Sequence, residues 1–157
     1  MGLYPPQADG GAPLSAFLSG LVGQAVGGLT PTFSPLSVEE AAGLLQGLYE
    51  SNRVQLRHGV RPVGAALLPN AHGHRQLRYI RQDAREHWRT VRDIWRHGGG
   101  DCEDLAAAVA AELTELNGVV ARPVIYQVRP GLSHAVVQLG DGRILDPSRW
   151  GGMGTSA

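Results

Sequence analysis

Three consecutive glycines followed by an alanine-rich helical pattern constrain the fold of this chain more than any other feature. The stretch HGGGDCEDLAAAVAAEL spans residues 97–113. The glycines let the backbone turn sharply and approach another segment closely, and Asp101 or Asp104 is suited to cap a helix. The small alanine side chains allow a sheet to pack tightly against that helix. We therefore expect a helix over residues 102–116 that ends at Asn117-Gly118.

Patterns typical of β-strands follow this helix. The segment VVARPVIYQV, residues 119–128, is rich in β-branched residues, and Pro123 is expected to place it at a sheet edge or a bulge. HAVVQL and RILDP predict two further strands joined by a hairpin at Gly140–Gly142. Because helical patterns come first and an antiparallel sheet follows, the sequence predicts the α+β class.

Upstream, two helical segments are separated by a loop. Ser37 and Glu40 have the spacing of a capping box, and an apolar face continues from there to about Leu56. Residues 60–74 are broken by proline and glycine and predict a loop. The second helical segment covers residues 75–97, where apolar residues recur every three or four positions.

This second segment carries arginines in phase with its apolar residues. Thr90 and Asp93 repeat the capping-box spacing, so we expect a break near Thr90. The stripe is either a solvated face with weak ion pairs or a contact for an acidic partner. Nucleic acid is not expected, because the formal net charge is zero and no aromatic platform accompanies the stripe. Its arginines are Arg75, Arg78, Arg81, Arg85, Arg89, Arg92 and Arg96.

Residues 1–36 are rich in proline, glycine and serine and predict an N-terminal arm, followed by a folded domain over residues 37–157. The arm is either flexible or a docking segment for a partner protein. Its most apolar run, residues 16–29, is shorter than the roughly 20 residues that a membrane span needs. No export signal is recognised, so we expect a cytoplasmic or virion-associated location.

The single cysteine, Cys102, excludes a disulfide within the chain and a zinc site with several thiolates. At a helix start, free N–H groups and the helix dipole favour a reactive thiolate. The acids on either side oppose it, so a reactive Cys102 requires a cationic partner, usually a histidine. The alternative is a buried apolar cysteine with no chemical role. His72 and His74 suggest a metal site only weakly, because two loop ligands without a nearby thiol are more often exposed histidines.

His134 opens a predicted strand, and Asp146 lies in the next one. If the loop between the strands has three residues, Asp146 opposes Val136 and lies diagonally from His134 on the same face. Gly142 suits the left-handed third position of such a loop. We therefore expect Asp146 to orient His134, and His134 to take the proton of Cys102, whose thiolate then attacks an amide carbon. The backbone N–H of Cys102 and either Trp88 or Gln82 are the candidate oxyanion donors.

The stretches GGGDCEDLAAAVAAEL, SHAVVQL and RILDP resemble the bacterial transglutaminase-like cysteine proteinases of the papain-like and transglutaminase-like superfamily. The resemblance covers roughly residues 80–150 and includes a W-x-T segment that starts at Trp88. Val91 departs from it, because proline is common there. The resemblance implies a thiol-bearing helix packed on a small antiparallel sheet, with Cys102 as nucleophile, His134 as base and Asp146 as orienting acid.

In periplasmic members of that family, acidic residues beside the cysteine bind calcium, which implies Asp101 and Glu103 as calcium ligands here. Helix capping by these acids is the alternative. Similar domains also occur in phage genomes, in proteins of virion or tail assembly. Two functions are therefore expected as alternatives: a cysteine peptidase or amidase, and a non-catalytic assembly protein that binds partners through its arm and arginines.

Overall fold

A computed structural model describes residues 36–81 and 87–155. In those residues the helical elements largely precede an antiparallel sheet, so the predicted α+β class is confirmed. None of the helices in these two ranges is long and apolar enough to cross a membrane. The elements in chain order are α1 (Val38–Arg57), α2 (Gly64–Leu67), β1 (Arg78–Tyr79), α3 (Val91–His97), β2 (Gly99–Gly100), α4 (Cys102–Asn117), β3 (Ala121–Arg129), β4 (Leu132–Leu139), β5 (Ile144–Leu145) and α5 (Pro147–Trp150).

Helix α1 begins where the sequence predicted. The Ser37 hydroxyl accepts a hydrogen bond from the Glu40 N–H at 3.1 Å, and the Glu40 carboxylate accepts one from the Ser37 N–H at 2.8 Å. The helix buries Leu45 and Leu48 in the core. The predicted arm lies outside the described residues except for Leu36, which packs against that core.

The prediction of a helix over residues 75–97 is wrong in its first part. Arg78–Tyr79 form a strand that pairs in parallel with β2. The Arg78 N–H donates to the Gly98 carbonyl at 3.0 Å, and the Ile80 N–H donates to the Gly100 carbonyl at 2.8 Å. This tertiary pairing satisfies the backbone and overrides the helical periodicity of the side chains.

Helix α3 begins after the predicted break. Thr90 and Asp93 form the expected capping box. The arginines therefore do not form one helical stripe, because only Arg92 and Arg96 lie on α3. Arg75 and Arg81 are in loops, Arg78 is in β1, Arg89 precedes α3, and Arg85 lies outside the described residues.

Helix α4 confirms the prediction made from the glycine and alanine pattern. Asp101 is its N-cap and accepts a hydrogen bond from the Asp104 N–H at 3.1 Å. Gly118 ends the helix in the left-handed conformation, with φ of +64°. Every alanine of the helix is buried, which lets the sheet approach closely.

The sheet has the strand order β3-β4-β5, with antiparallel neighbours. Pro123 lies in the edge strand β3, as expected. Val137 opposes Leu145, which makes the β4–β5 loop three residues long. Gly142 in that loop has φ of +87°, so both the predicted register and the left-handed position are confirmed.

The two faces of β4 have different surroundings. Ala135, Val137 and Leu139 are buried in the hydrophobic core, which also contains residues of α4. Because successive side chains of a strand point to opposite faces, His134 and Val136 lie on the other face. A thiol at the start of α4 therefore approaches His134 around the edge of β4 and not through the core face.

Candidate active site

The hydrogen bond between His134 and Asp146 is the centre of the site. The register places Val136 opposite Asp146, so Asp146 lies one diagonal step from His134 on the same face. The His134 Nε2 and Asp146 Oδ2 atoms are 3.0 Å apart. The His134 side chain is 13% exposed, so the contact is partly shielded from water.

Asp146 is itself held in place by the start of α5. It is the N-cap of that helix, and its Oδ1 accepts a hydrogen bond from the Ser148 N–H at 3.2 Å. The exposed Arg149 approaches Oδ2 at 3.5 Å. With Oδ1 engaged by the helix, Oδ2 is directed at the imidazole. An ionised Asp146 only accepts hydrogen bonds, so it favours the tautomer with a proton on Nε2 and a free lone pair on Nδ1.

Cys102 lies at the edge of β4 beside Ala135, the residue that follows His134. The Leu139 N–H donates to the Arg143 carbonyl across the β4–β5 pair. Since N–H direction alternates along a strand, the N–H of Ala135 points to the same side. Strand β5 ends before it reaches that position. The Cys102 sulfur faces the free Ala135 N–H, an interaction that lowers the pKa of the thiol.

The thiol does not donate to the imidazole in this structure. Its hydrogen bond goes to Glu103 Oε2, at 2.9 Å, and no hydrogen bond joins Cys102 and His134, both of which are described. The expected hydrogen bond between sulfur and ring is therefore absent in this arrangement. Burial, then the charge of Glu103 and its hydrogen bond, raises the pKa of the Cys102 thiol well above its usual value. The thiol is neutral here.

Two further carboxyls are buried behind the thiol. Burial and the neighbouring charges of Asp104 and Glu103 raise the pKa of Asp101. Burial also raises the pKa of Asp104, against the opposing effect of Arg89. The Arg89 N–H donates to Asp104 Oδ1 at 2.6 Å, and its guanidinium lies 3.6 Å from Oδ2. Arg89 is thus an internal partner of α4, not a free surface cation.

Calcium ligation by Asp101 and Glu103 remains a prediction, and the described ranges show only what surrounds these two carboxyls. No group of three or more histidine, cysteine or acidic side chains is placed there to hold a metal ion, and calcium takes six to eight oxygen ligands. Asp101 caps α4, and Glu103 accepts the thiol hydrogen bond. The expected ligands therefore have other partners, and no chemical step below involves a cation.

The proposed oxyanion donors have different positions. The Cys102 N–H, in the first turn of α4, has no acceptor within the described residues, as expected for a helix start. Trp88 is 7% exposed and is buried in the same hydrophobic cluster as Cys102. Gln82 lies outside the described residues.

Tyr79 is a site residue that the sequence reasoning missed. It lies opposite Gly100 in the β1–β2 pair. Gly100 is two residues before Cys102 in the chain. Its N–H donates to the Gly151 carbonyl at 2.9 Å, so it also contacts the segment that follows Asp146. A helical interpretation of residues 75–97 hid this position. The alternation of apolar Leu77, charged Arg78 and aromatic Tyr79 is the strand signal that the sequence offers.

Three other predicted positions lie apart from the thiol. His72 and His74 are exposed in a turn, where their N–H groups donate to the side chain of Asn70. Arg96 lies 3.6 Å from Asp93 on its own helix. These are local contacts of the kinds expected for exposed loop histidines and for weak surface ion pairs.

No protein-family model, curated protein or solved structure was found to match this sequence. The resemblance to the transglutaminase-like cysteine proteinases therefore rests on the motifs quoted above. The case for a chemical function rests on the geometry of Cys102, His134 and Asp146.

Proposed function

We propose that this protein is a cysteine peptidase or amidase that acts through Cys102, His134 and Asp146, with the helix-on-sheet arrangement of the papain-like and transglutaminase-like enzymes. The observation that carries the proposal is the 3.0 Å hydrogen bond between His134 and Asp146 beside the sulfur of Cys102. A histidine oriented by a carboxylate next to a thiol at a helix start is an arrangement that activates a nucleophile.

The reaction starts with a rotation of the thiol from Glu103 towards His134. The thiol proton moves to Nδ1, and the sulfur lone pair forms a bond to the carbonyl carbon of a peptide or protein amide. The carbonyl π pair moves to oxygen, where the free N–H of Cys102 donates a hydrogen bond. Asp146 stabilises the imidazolium that results.

Collapse of this intermediate releases the amine. The carbonyl re-forms, the C–N bond breaks with its electron pair on nitrogen, and that nitrogen takes the proton from Nδ1. Water then attacks the thioester carbon with His134 as base, and the sulfur leaves as the thiol. We propose hydrolysis over transfer to a second amine, because water is present in large excess.

The test uses the single cysteine. The purified protein is mixed with p-nitrophenyl acetate, and acylation is followed by nitrophenolate release and by intact mass. The expected result is a burst of one nitrophenolate per chain with an acyl group on Cys102, lost in Cys102→Ser. A wild-type protein that acylates no faster than a small free thiol at the same pH would overturn the proposal.

The alternative is a non-catalytic protein of virion or tail assembly. It is favoured by one observation, the neutral thiol held by Glu103. On this alternative, removal of residues 1–36 abolishes partner binding, and Cys102→Ser leaves binding unchanged. On the enzymatic proposal, the truncated protein keeps its acylation burst.

A further inference from the structure

We propose that the hydroxyl of Tyr79 is the second hydrogen-bond donor to the oxyanion. This inference rests on the function proposed above and deepens it. A tetrahedral intermediate is usually held by two or more donors fixed before the reaction. The free N–H of Cys102 supplies only one of them.

The backbone of Tyr79 is fixed between the segments that carry the nucleophile and the acid. On one side, β1 pairs with Gly99–Gly100, just before Cys102. On the other side, the Tyr79 N–H bonds to the Gly151 carbonyl, five residues after Asp146. A Cβ on Gly151 would lie 2.6 Å from the Tyr79 nitrogen, so only glycine permits this approach. The position is therefore rigid relative to both segments.

The side chain of Tyr79 is half-buried and packs against the hydrophobic cluster that contains Cys102. Burial, and then the neighbouring Cys102, Asp101 and Glu103 side chains, raise the pKa of its phenol above the usual value. The phenol therefore keeps its proton at neutral pH and remains a donor. Its hydroxyl has no hydrogen-bond partner among the residues that the structure describes.

Trp88 is the competing donor from the sequence. Its side chain is 7% exposed within the core, whereas Tyr79 is only half-buried. An oxyanion donor has to reach a substrate that enters from solvent. The exposure of Tyr79 therefore favours it over Trp88.

The chemical step is the one given above, with one added hydrogen bond. As the sulfur–carbon bond forms, the carbonyl π pair moves to oxygen, and that oxygen accepts hydrogen bonds from the Cys102 N–H and the Tyr79 O–H. No proton leaves Tyr79. When the carbonyl re-forms, both hydrogen bonds weaken and the thioester remains.

The test compares Tyr79→Phe with the wild type in two reactions of the same thiol. Acylation by p-nitrophenyl acetate passes through an oxyanion, whereas alkylation by iodoacetamide displaces iodide and forms none. Removal of one oxyanion donor is expected to slow acylation by about 10²–10³-fold and to leave alkylation within about twofold. Tyr49→Phe is the matched control, because its hydroxyl bonds to Thr114 and Ala121 near the far end of α4. It is expected to leave both rates unchanged.

Three outcomes overturn the inference while the proposed function stands. The first is a wild-type acylation burst that Tyr79→Phe does not change. The second is a Trp88→Phe variant that loses acylation while Tyr79→Phe retains it. The third is an equal loss of acylation and alkylation in Tyr79→Phe, because it indicates a displaced thiol. Failure of the proposed function looks different: the wild type itself shows no burst.

Discussion

The candidate site has two halves, and their side chains are arranged for the proposed catalysis to different degrees. In the half formed by His134 and Asp146, hydrogen bonds run from the Ser148 N–H through the Asp146 carboxylate to His134 Nε2, which leaves Nδ1 free. In the half formed by Cys102 and its acidic neighbours, the thiol donates to Glu103 and is neutral. The proposed base is oriented, whereas the proposed nucleophile donates its hydrogen bond to another group.

The difference follows from what builds each half. Strand register and a helix cap place His134 and Asp146, and both depend on backbone hydrogen bonds that the fold requires anyway. The thiol lies at a buried helix start, where burial, then Glu103, and to a smaller extent the N-cap Asp101 raise the pKa of the sulfur. Helix capping and thiol activation therefore oppose each other around Cys102.

The largest expected effect comes from removal of the imidazole. His134→Ala is expected to slow acylation of Cys102 by about 10³–10⁴-fold, because Glu103, which accepts the thiol hydrogen bond, raises the pKa of the thiol and does not replace the imidazole as a base. The measurement is the burst rate with p-nitrophenyl acetate. His72→Ala, which removes an exposed loop histidine, is the control and is expected to keep the wild-type rate. If His134→Ala also keeps the wild-type burst rate, the pair of His134 and Asp146 has only a structural role.

The half of the site formed by His134 and Asp146 is also the half that the sequence predicted. A three-residue loop sets which residues of β4 and β5 lie opposite each other. This register alone decides whether Asp146 and His134 lie on the same face of the sheet. The glycine at the third loop position allows that loop length to be predicted from the sequence. The helix that carries Cys102 can be predicted for a similar local reason, since Asp101, Asp104 and Gly118 mark both of its ends.

What the sequence did not reveal depends on long-range pairing. The interval between apolar residues in residues 75–97 suits a helix, but Arg78–Tyr79 form a strand with glycines some twenty positions later. Hence Tyr79 was overlooked and the arginines were placed on one face. The direction of the Cys102 thiol was equally hidden, because a side chain at a helix start has several rotamers and only packing selects one.

A glycine substitution tests how far the cysteine half depends on this close pairing. A Cβ on Gly99 would lie 1.9 Å from the Arg78 carbonyl oxygen, so Gly99→Ala is expected to lower the free energy of unfolding by roughly 2–3 kcal/mol. Urea denaturation measures it. Gly47→Ala in α1 is the control, because nothing lies within 4 Å of its added Cβ, and it is expected to be neutral or to stabilise by about 0.5–1 kcal/mol. Equal effects of the two would mean that β1 and β2 are not closely paired.

Glu103→Gln tests whether the charge of Glu103 suppresses the reactivity of the thiol. The substitution removes the charge that raises the pKa of Cys102 while it keeps a similar shape. Alkylation by iodoacetamide at pH 7 is expected to speed up by about tenfold, the effect of roughly one pKa unit. Glu39→Gln, in the first turn of α1, is the matched control and is expected to have no effect. A slower reaction in Glu103→Gln would show that Glu103 accepts the thiol proton instead of suppressing the thiolate.

The last prediction concerns Asp101, the buried carboxyl next to the thiol. Burial and the charges of Asp104 and Glu103 raise the pKa of Asp101 from 3.8 to about 9. A carboxyl with a raised pKa binds more protons in the folded state than in the unfolded state. Its contribution to stability is therefore present below the unfolded pKa near 4 and is lost as pH rises through the folded pKa. The free energy of unfolding should fall between these two pH values.

Asp101→Asn should flatten that fall, because asparagine does not titrate but still offers an oxygen to cap α4. Urea denaturation at several pH values measures the slope for both proteins. If wild-type stability instead rises with pH, Asp101 is ionised while buried, and a positive charge must lie beside it. Calcium would then be the first candidate, and its addition would raise the free energy of unfolding of the wild type more than that of Asp101→Asn. In that event a bound cation would offset the charges that otherwise keep Cys102 neutral. The half of the site that contains Cys102 would then be arranged for catalysis as well as the half that contains His134.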